Sequence, residues 1–257
     1  AGKNGAPLWK NNEMVWDDDV TILGGALGLK TSAGAVNLEF KGGYFALPVG
    51  MRDYSGNLAL LQAVASTTID GTKLTGAIAY LDINADENDR DIALLSENNG
   101  ARDYQNWVLS LQSTTTVNHK PLTLAFDYML NTEDYAADDP DSFTALHHDE
   151  DDGWVMSLRW GDTKKAGHWQ IRYDYAHIDT FAVNNSYAQD DWVRWGNATQ
   201  TRASNFKGSE FRVAYAFGST LNLVSRWYIV DAIKTRNAGA LSKEDGNRLR
   251  FDLNWKF

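Results

Sequence analysis

The amino-acid sequence predicts an all-β fold, an antiparallel transmembrane β-barrel built as a single domain over residues 1–257. Three observations predict it: apolar and polar residues alternate with a period of two, short and long links alternate between the segments, and aromatic side chains stand at segment ends. A strand sends successive side chains to opposite faces, so each alternating segment is two-faced.

Composition removes several other classes. Asp and Glu total 34 against 24 Lys and Arg, a formal charge of −10, so nucleic acid is excluded as a main partner for want of a basic face. No cysteine is present, which rules out disulfides and thiolate metal sites. Mean hydropathy is −0.43, and no run approaches the roughly 18 apolar residues of a membrane-spanning helix.

Taken in order, the first strands are expected at 20–30, 36–41, 57–68, 72–83 and 104–116. Alternation is cleaner further on. Leu122, Leu124, Phe126, Tyr128 and Leu130 share one face, with Thr123, Ala125 and Asp127 on the other. Trp154–Trp160, Trp169–Tyr175, Phe211–Phe217, 220–231 and Leu249–Phe257 mark the rest of about eleven strands, expected at about nine to thirteen residues each, the length that a tilted transmembrane strand needs.

Short links are expected at 32–34, 70–72, 118–120, 162–167 and 218–219, and longer polar links at 48–56, 84–101, 133–152, 180–203 and 232–246. Short periplasmic turns opposite long external loops are the barrel pattern. Counted back from Phe257, residues 1–19 fall outside the cell. A soluble β-sandwich has the same alternation but no reason to sort its loops, or to place Trp and Tyr in two belts. Trp154 with Trp160, Trp169 with Tyr175, and Tyr215 with Phe217 fit the headgroup levels of a bilayer.

Two stretches carry a resemblance. Phe251, Leu253, Trp255 and Phe257 resemble the C-terminal signal read by the outer-membrane assembly machinery, although Asp252 stands where a small residue is common. Ala1-Gly-Lys3, Pro7-Leu8-Trp9 and Met14-Val-Trp16-Asp-Asp-Asp19 resemble an internal stretch of a bacterial outer-membrane porin family, loosely matched as far as Phe257. The resemblance implies a trimeric, roughly sixteen-stranded porin of the bacterial outer membrane whose N-terminal strands are absent here, in contact with lipid and lipopolysaccharide. The other reading is that residues 1–16 supply a short twelfth strand of a smaller barrel.

On the polar face of the last five segments stand Arg159, Arg172, Arg212, Arg226 and Arg250, with Asp127, Asp174, Glu210 and Asp252. Arginine is always charged and presents a planar fork of donors, so such a ladder attracts anions and small polar solutes. The plainer reading is a bracing network of Arg–carboxylate pairs across neighbouring strands. Asn37, Glu39, Lys41 and Gln62 line earlier strands.

Asp190, Asp191, Trp192, Arg194 and Trp195 are too apolar for an idle loop and are expected either to fold into the lumen as a constriction or to pack across a neighbouring subunit; residues 48–56, with Arg52 and Tyr54, are a second candidate constriction. The acidic loop 133–152 offers oxygen ligands suited to Ca²⁺, but a solvated loop is the simpler expectation, as is a solvated pair for His147 and His148. No other cofactor and no catalytic group is expected. No Gly-x-Ser-x-Gly elbow occurs, and His177 falls on the apolar face, which disfavours an outer-leaflet hydrolase. A scaffold barrel that anchors a partner is the remaining alternative.

Overall fold

The computed structural model describes residues 2–49, 53–86, 99–135, 142–193, 203–235 and 242–256. Twelve antiparallel strands form one sheet in strict sequence order. They are β1 (Gly2–Gly5), β2 (Thr21–Ala33), β3 (Val36–Val49), β4 (Asp53–Ile69), β5 (Thr72–Asn84) and β6 (Tyr104–Val117). The second half comprises β7 (Lys120–Asn131), β8 (Asp152–Gly161), β9 (Trp169–Ile178), β10 (Phe206–Ala216), β11 (Leu221–Ala232) and β12 (Asp245–Trp255). A short helix, α1 (Ser142–His147), is the one α-helix among the described residues, and no helix there is long and apolar enough to cross a membrane.

All eleven expected strands form, and most run longer than the alternation indicates. Pairing explains the extension: β3 and β4 stay in register out to Val49↔Asp53, across an irregularity at Ala46/Leu47. The expected loop 48–56 is therefore mostly strand, with Tyr54 paired to Pro48. Tyr54 carries Lys3 Nζ over its ring at 5.6 Å, and Arg52 lies outside the described residues. Residues 1–16 do supply a short twelfth strand, β1, confined to Gly2–Gly5. Only Gly2–Gly5 pairs, with Thr21–Gly24.

One face of the sheet is apolar and open. Leu27 is 86% exposed and Leu253 67%, and Leu61, Ile78, Met156 and Ile171 are exposed on the same side. Soluble monomers rarely leave so continuous an apolar surface, and a sandwich would bury it. Trp154 and Trp160 are six residues apart on β8, about 20 Å at the usual strand rise, close to the height of a barrel's apolar band. At the long-loop end Trp154 packs on Tyr175 (5.4 Å) and stacks on His177 (6.1 Å); at the short-turn end Trp169 packs on Tyr215 (4.7 Å) and Tyr215 on Phe217 (5.0 Å).

The opposite, inner face departs from a uniformly polar wall. Towards the long-loop end it is apolar, with Leu58, Leu60, Leu81, Ile83, Tyr104 and Ile178 fully buried. Loop residues cover them: Phe181, Ala182, Val183, Tyr187 and Trp192 from the β9–β10 connection, and Met14, Val15 and Trp16 from the β1–β2 connection. Burying this surface is the main stabilising contribution of these loops. Towards the short-turn end the inner face is polar. Within the described residues, β1 is the only strand beside β2 on the side away from β3, and β12 has β11 as its only neighbour, so the sheet is open along both edges.

Candidate functional site

The pairing register turns the arginine ladder into a row. Arg159 lies opposite Arg172, Arg172 opposite Arg212, Arg212 opposite Arg226, and Arg226 opposite Arg250. Five guanidinium groups thus stand side by side on five adjacent strands, spaced about 4.8 Å apart at their backbones. Like charges directly opposite one another destabilise a sheet, so the row needs counter-charges.

Carboxylates supply part of them. Arg172 Nε donates to Asp174 Oδ2 at 2.6 Å, and Asp174 also accepts from Ser157 Oγ. Arg250 Nε donates to Asp252 Oδ1 at 2.7 Å, and its Nη1 donates to both oxygens of Asp191 at 2.7 Å. Arg226 Nη1 reaches Asp191 Oδ2 at 3.3 Å, and its Nε lies 3.7 Å from Asp252 and 3.9 Å from Glu210. Arg248, one position off the row, donates to the Asp191 carbonyl and stacks over Tyr228 at 5.6 Å.

Three arginines therefore converge on Asp191, a residue of the β9–β10 connection, and draw that loop onto the inner wall. Its neighbour Trp192 is buried against Phe206 (5.6 Å) and Tyr228 (5.7 Å). Gln189 Oε1 accepts from the backbone N–H groups of Asp191 and Trp192 and fixes the bend. Asp190 lies beside them, half-buried, whereas Arg194 and Trp195 lie outside the described residues.

A second inward segment is one that sequence reasoning missed. Residues 6–19, expected outside the cell, lie against the inner wall. Trp9 makes a reciprocal pair with Gln62 on β4, its N–H donating to Oε1 and its carbonyl accepting from Nε2, both at 2.8 Å. Asn11 and Asn12 donate to the two oxygens of buried Asp127 on β7 at 3.0 and 2.5 Å. The Gln189 N–H donates to the Glu13 carbonyl at 3.1 Å, and Asp17 N–H to the Tyr187 carbonyl at 2.8 Å. Trp16 stacks on Tyr187 at 5.4 Å. The available signal was the apolar triplet Met14-Val15-Trp16, which a solvated external loop has no cause to carry.

Charge on this segment is unevenly balanced. Burial, then the hydrogen bond with Asp18 and the nearby charge of Asp17, push Glu13 up to about 7. The 2.7 Å bond from Lys10 Nζ holds Asp18 below the usual carboxylate range. Between this segment and the row lies a cavity of about 350 Å³, bounded by Asn11, Asn12, Arg172, Arg212, Arg226 and Tyr228.

The remaining expected groups sit elsewhere. Glu39 pairs with Lys41 at 3.4 Å and Lys30 at 3.6 Å on the inner face of β2 and β3. His147 is not solvated: it is fully buried, with Nδ1 3.0 Å from both oxygens of Glu150. Burial raises the Glu150 pKa, but hydrogen bonds from His147, Lys234 and Thr180 outweigh it and hold the carboxyl below its ordinary range. Helix α1 and Phe181 enclose this cluster, because the Phe181 N–H donates to the Glu150 carbonyl at 2.7 Å. No group of three or more metal-ligating side chains occurs among the described residues; Asp138, Asp139 and Asp141 of the acidic loop lie outside them.

No protein-family profile matches the chain, and no curated protein matches it by sequence. Among solved structures it is similar to the high-pH structure of OprB from Pseudomonas putida, at 14% identity and a TM-score of 0.50. The match covers 93% of this chain and 59% of that one, so the chain spans well under two thirds of the length of the structure it resembles. The likeness is one of fold: a porin-like outer-membrane β-barrel wall.

Proposed function

We propose that the chain forms the wall of a diffusion pore in the bacterial outer membrane, passing small polar or anionic solutes along an arginine-lined lumen. The observation that carries this reading is the row of five arginines on the inner face, beneath two inward-folded segments that narrow the space in front of it. Asp127, Asp174 and Glu210 set the counter-charge of that wall. Asp190, Asp191 and Trp192, with residues 8–14, form the constriction. A fixed row of cations beside an aqueous path favours anion entry without any catalytic step. The apolar outer face meets lipid, with lipopolysaccharide around the long loops, and further strands bring the barrel to about sixteen. A homotrimer is the expected assembly.

Single-channel recording of the purified protein in a planar bilayer under a salt gradient tests this directly. Discrete steps with a reversal potential biased towards anions are expected. Arg172→Ala and Arg212→Ala should each reduce that bias. Folded protein that never conducts would sink the pore reading and turn attention to a scaffold role.

A further inference from the structure

Two members of the arginine row differ from the other three. Among the described residues, Arg159 and Arg212 make no hydrogen bond or ion pair, whereas Arg172, Arg226 and Arg250 each do. Arg212 is the sharper case, because its Nε is buried without a hydrogen-bond acceptor. Its natural acceptor is at hand but not engaged. Arg172 with Asp174, and Arg250 with Asp252, show how a carboxylate two residues along a strand binds its arginine at 2.6 and 2.7 Å. Glu210 holds the same offset from Arg212, yet it approaches Arg226 instead, at 3.9 Å.

Counting the row together with Arg248, six arginines face five carboxylates, namely Asp127, Asp174, Asp191, Glu210 and Asp252, and Asp127 is already taken by Asn11 and Asn12. Asp191 is already shared among three of the arginines. Arg212 stands directly between Arg172 and Arg226, so its charge meets two like charges across the ladder. All three line the cavity of about 350 Å³, which is large enough for a small polyatomic anion. A guanidinium whose Nε is buried without an acceptor is costly, and a bidentate oxyanion is the ligand its donor fork matches.

We propose that the cavity is a discrete oxyanion site centred on Arg212, which binds the carboxylate or phosphate group of a solute between the row and the Asn11–Asn12 segment. This deepens the pore reading by naming the chemical group held inside the lumen, and its test does not require conduction. The other charged groups facing the cavity are Lys10, Glu13, Asp18, Asp174, Asp191 and Glu210. Lys10 engages Asp18, and arginines of the row engage Asp174 and Asp191, so Arg212 is the cation left to an incoming anion.

The experiment is thermal unfolding of the full chain in detergent, with sodium phosphate, sodium acetate or sodium chloride added at matched ionic strength. Phosphate or acetate is expected to raise the midpoint by several degrees more than chloride, saturably, and the larger shift identifies the preferred oxyanion. Arg212→Gln relieves like-charge repulsion, so in low-salt buffer it should be at least as stable as the wild type while losing most of the oxyanion shift. Arg159→Gln should lose less, because Arg159 stands at the end of the row. Equal shifts in all three salts, or an oxyanion shift that persists undiminished in Arg212→Gln, would overturn the site and leave Glu210 as the partner of Arg212. A saturable shift in protein that never conducts would keep the site and refute the pore.

Discussion

Glu13 is a carboxyl enclosed by an inward segment, where burial, the Asp18 hydrogen bond and the charge of Asp17 push it up to about 7. Its folded pKa exceeds the ordinary 4.5, so between those values the folded state binds more protons than the unfolded state. Stability contributed here is thus present at low pH and declines as pH rises from about 4.5 through about 7. Above that window an ionised Glu13 opposes the packing of Met14 and Trp16, and the β1–β2 connection should loosen. Single-channel conductance is expected to rise, with more open-channel noise, between pH 5.5 and 8, and Glu13→Gln should flatten that dependence. A profile identical in wild type and variant would detach Glu13 from the packing. At this scale the sequence was informative about facing and silent about partners. Alternation alone put Arg159, Arg172, Arg212, Arg226 and Arg250 on one side of their strands. That they stand in a single row, and that Asp191 joins three arginines across 35 to 59 residues of chain, depends on register and loop path.

Among the elements, the β1–β2 connection is held through its polar stretch chiefly by Gln62 and Asp127, each of which makes two hydrogen bonds to it. Asp127 accepts from Asn11 at 3.0 Å and from Asn12 at 2.5 Å, both charge-assisted bonds in a buried setting. Hydrogen bonds to a charged group contribute about 1.5–3 kcal/mol each, so Asp127→Ala should release Asn12 and loosen Asn11, which keeps its bonds with Leu111 and Gln112, while Trp9 stays fixed by Gln62. Wider conductance steps and weaker ion preference are expected, with little change in the temperature at which the barrel unfolds, since the strand ladder is untouched. Unchanged conductance would show that this segment does not narrow the path. The segment was illegible beforehand because its contacts are tertiary: Asn11 meets residues 100 and 116 positions away. The strands were legible because their signal is local, a period of two bounded by Asp70-Gly71 or Asn118-His119, where positive φ values mark tight turns. Their lengths were underestimated at the long-loop end, where Leu47, Ile178 and Phe206 face a packed interior and the inner face loses the polarity on which the alternation relied.

At the scale of the whole molecule the open sheet is the dominant constraint. Along β2, residues 25–33 have no neighbour on the side away from β3, and β12 has none on the side away from β11, among the described residues. Every second residue of such an edge directs its N–H and C=O outward. In a bilayer core each group left without a partner costs several kcal/mol, which is why only closed barrels span membranes with strands. The twelve strands therefore need either further strands between these edges or direct pairing of β2 with β12. Further strands fit the match to the OprB structure, which covers 59% of that chain. Residues 1–257 refolded alone into lipid vesicles should then show rapid amide exchange along β12 and residues 25–33, slow exchange in β6 and β7, and no heat-modifiable band on a gel. If β12 is instead as protected as β6 and the band is present, the edges close on each other. The pore would then be a twelve-stranded barrel, too narrow to hold both inward segments and an open path.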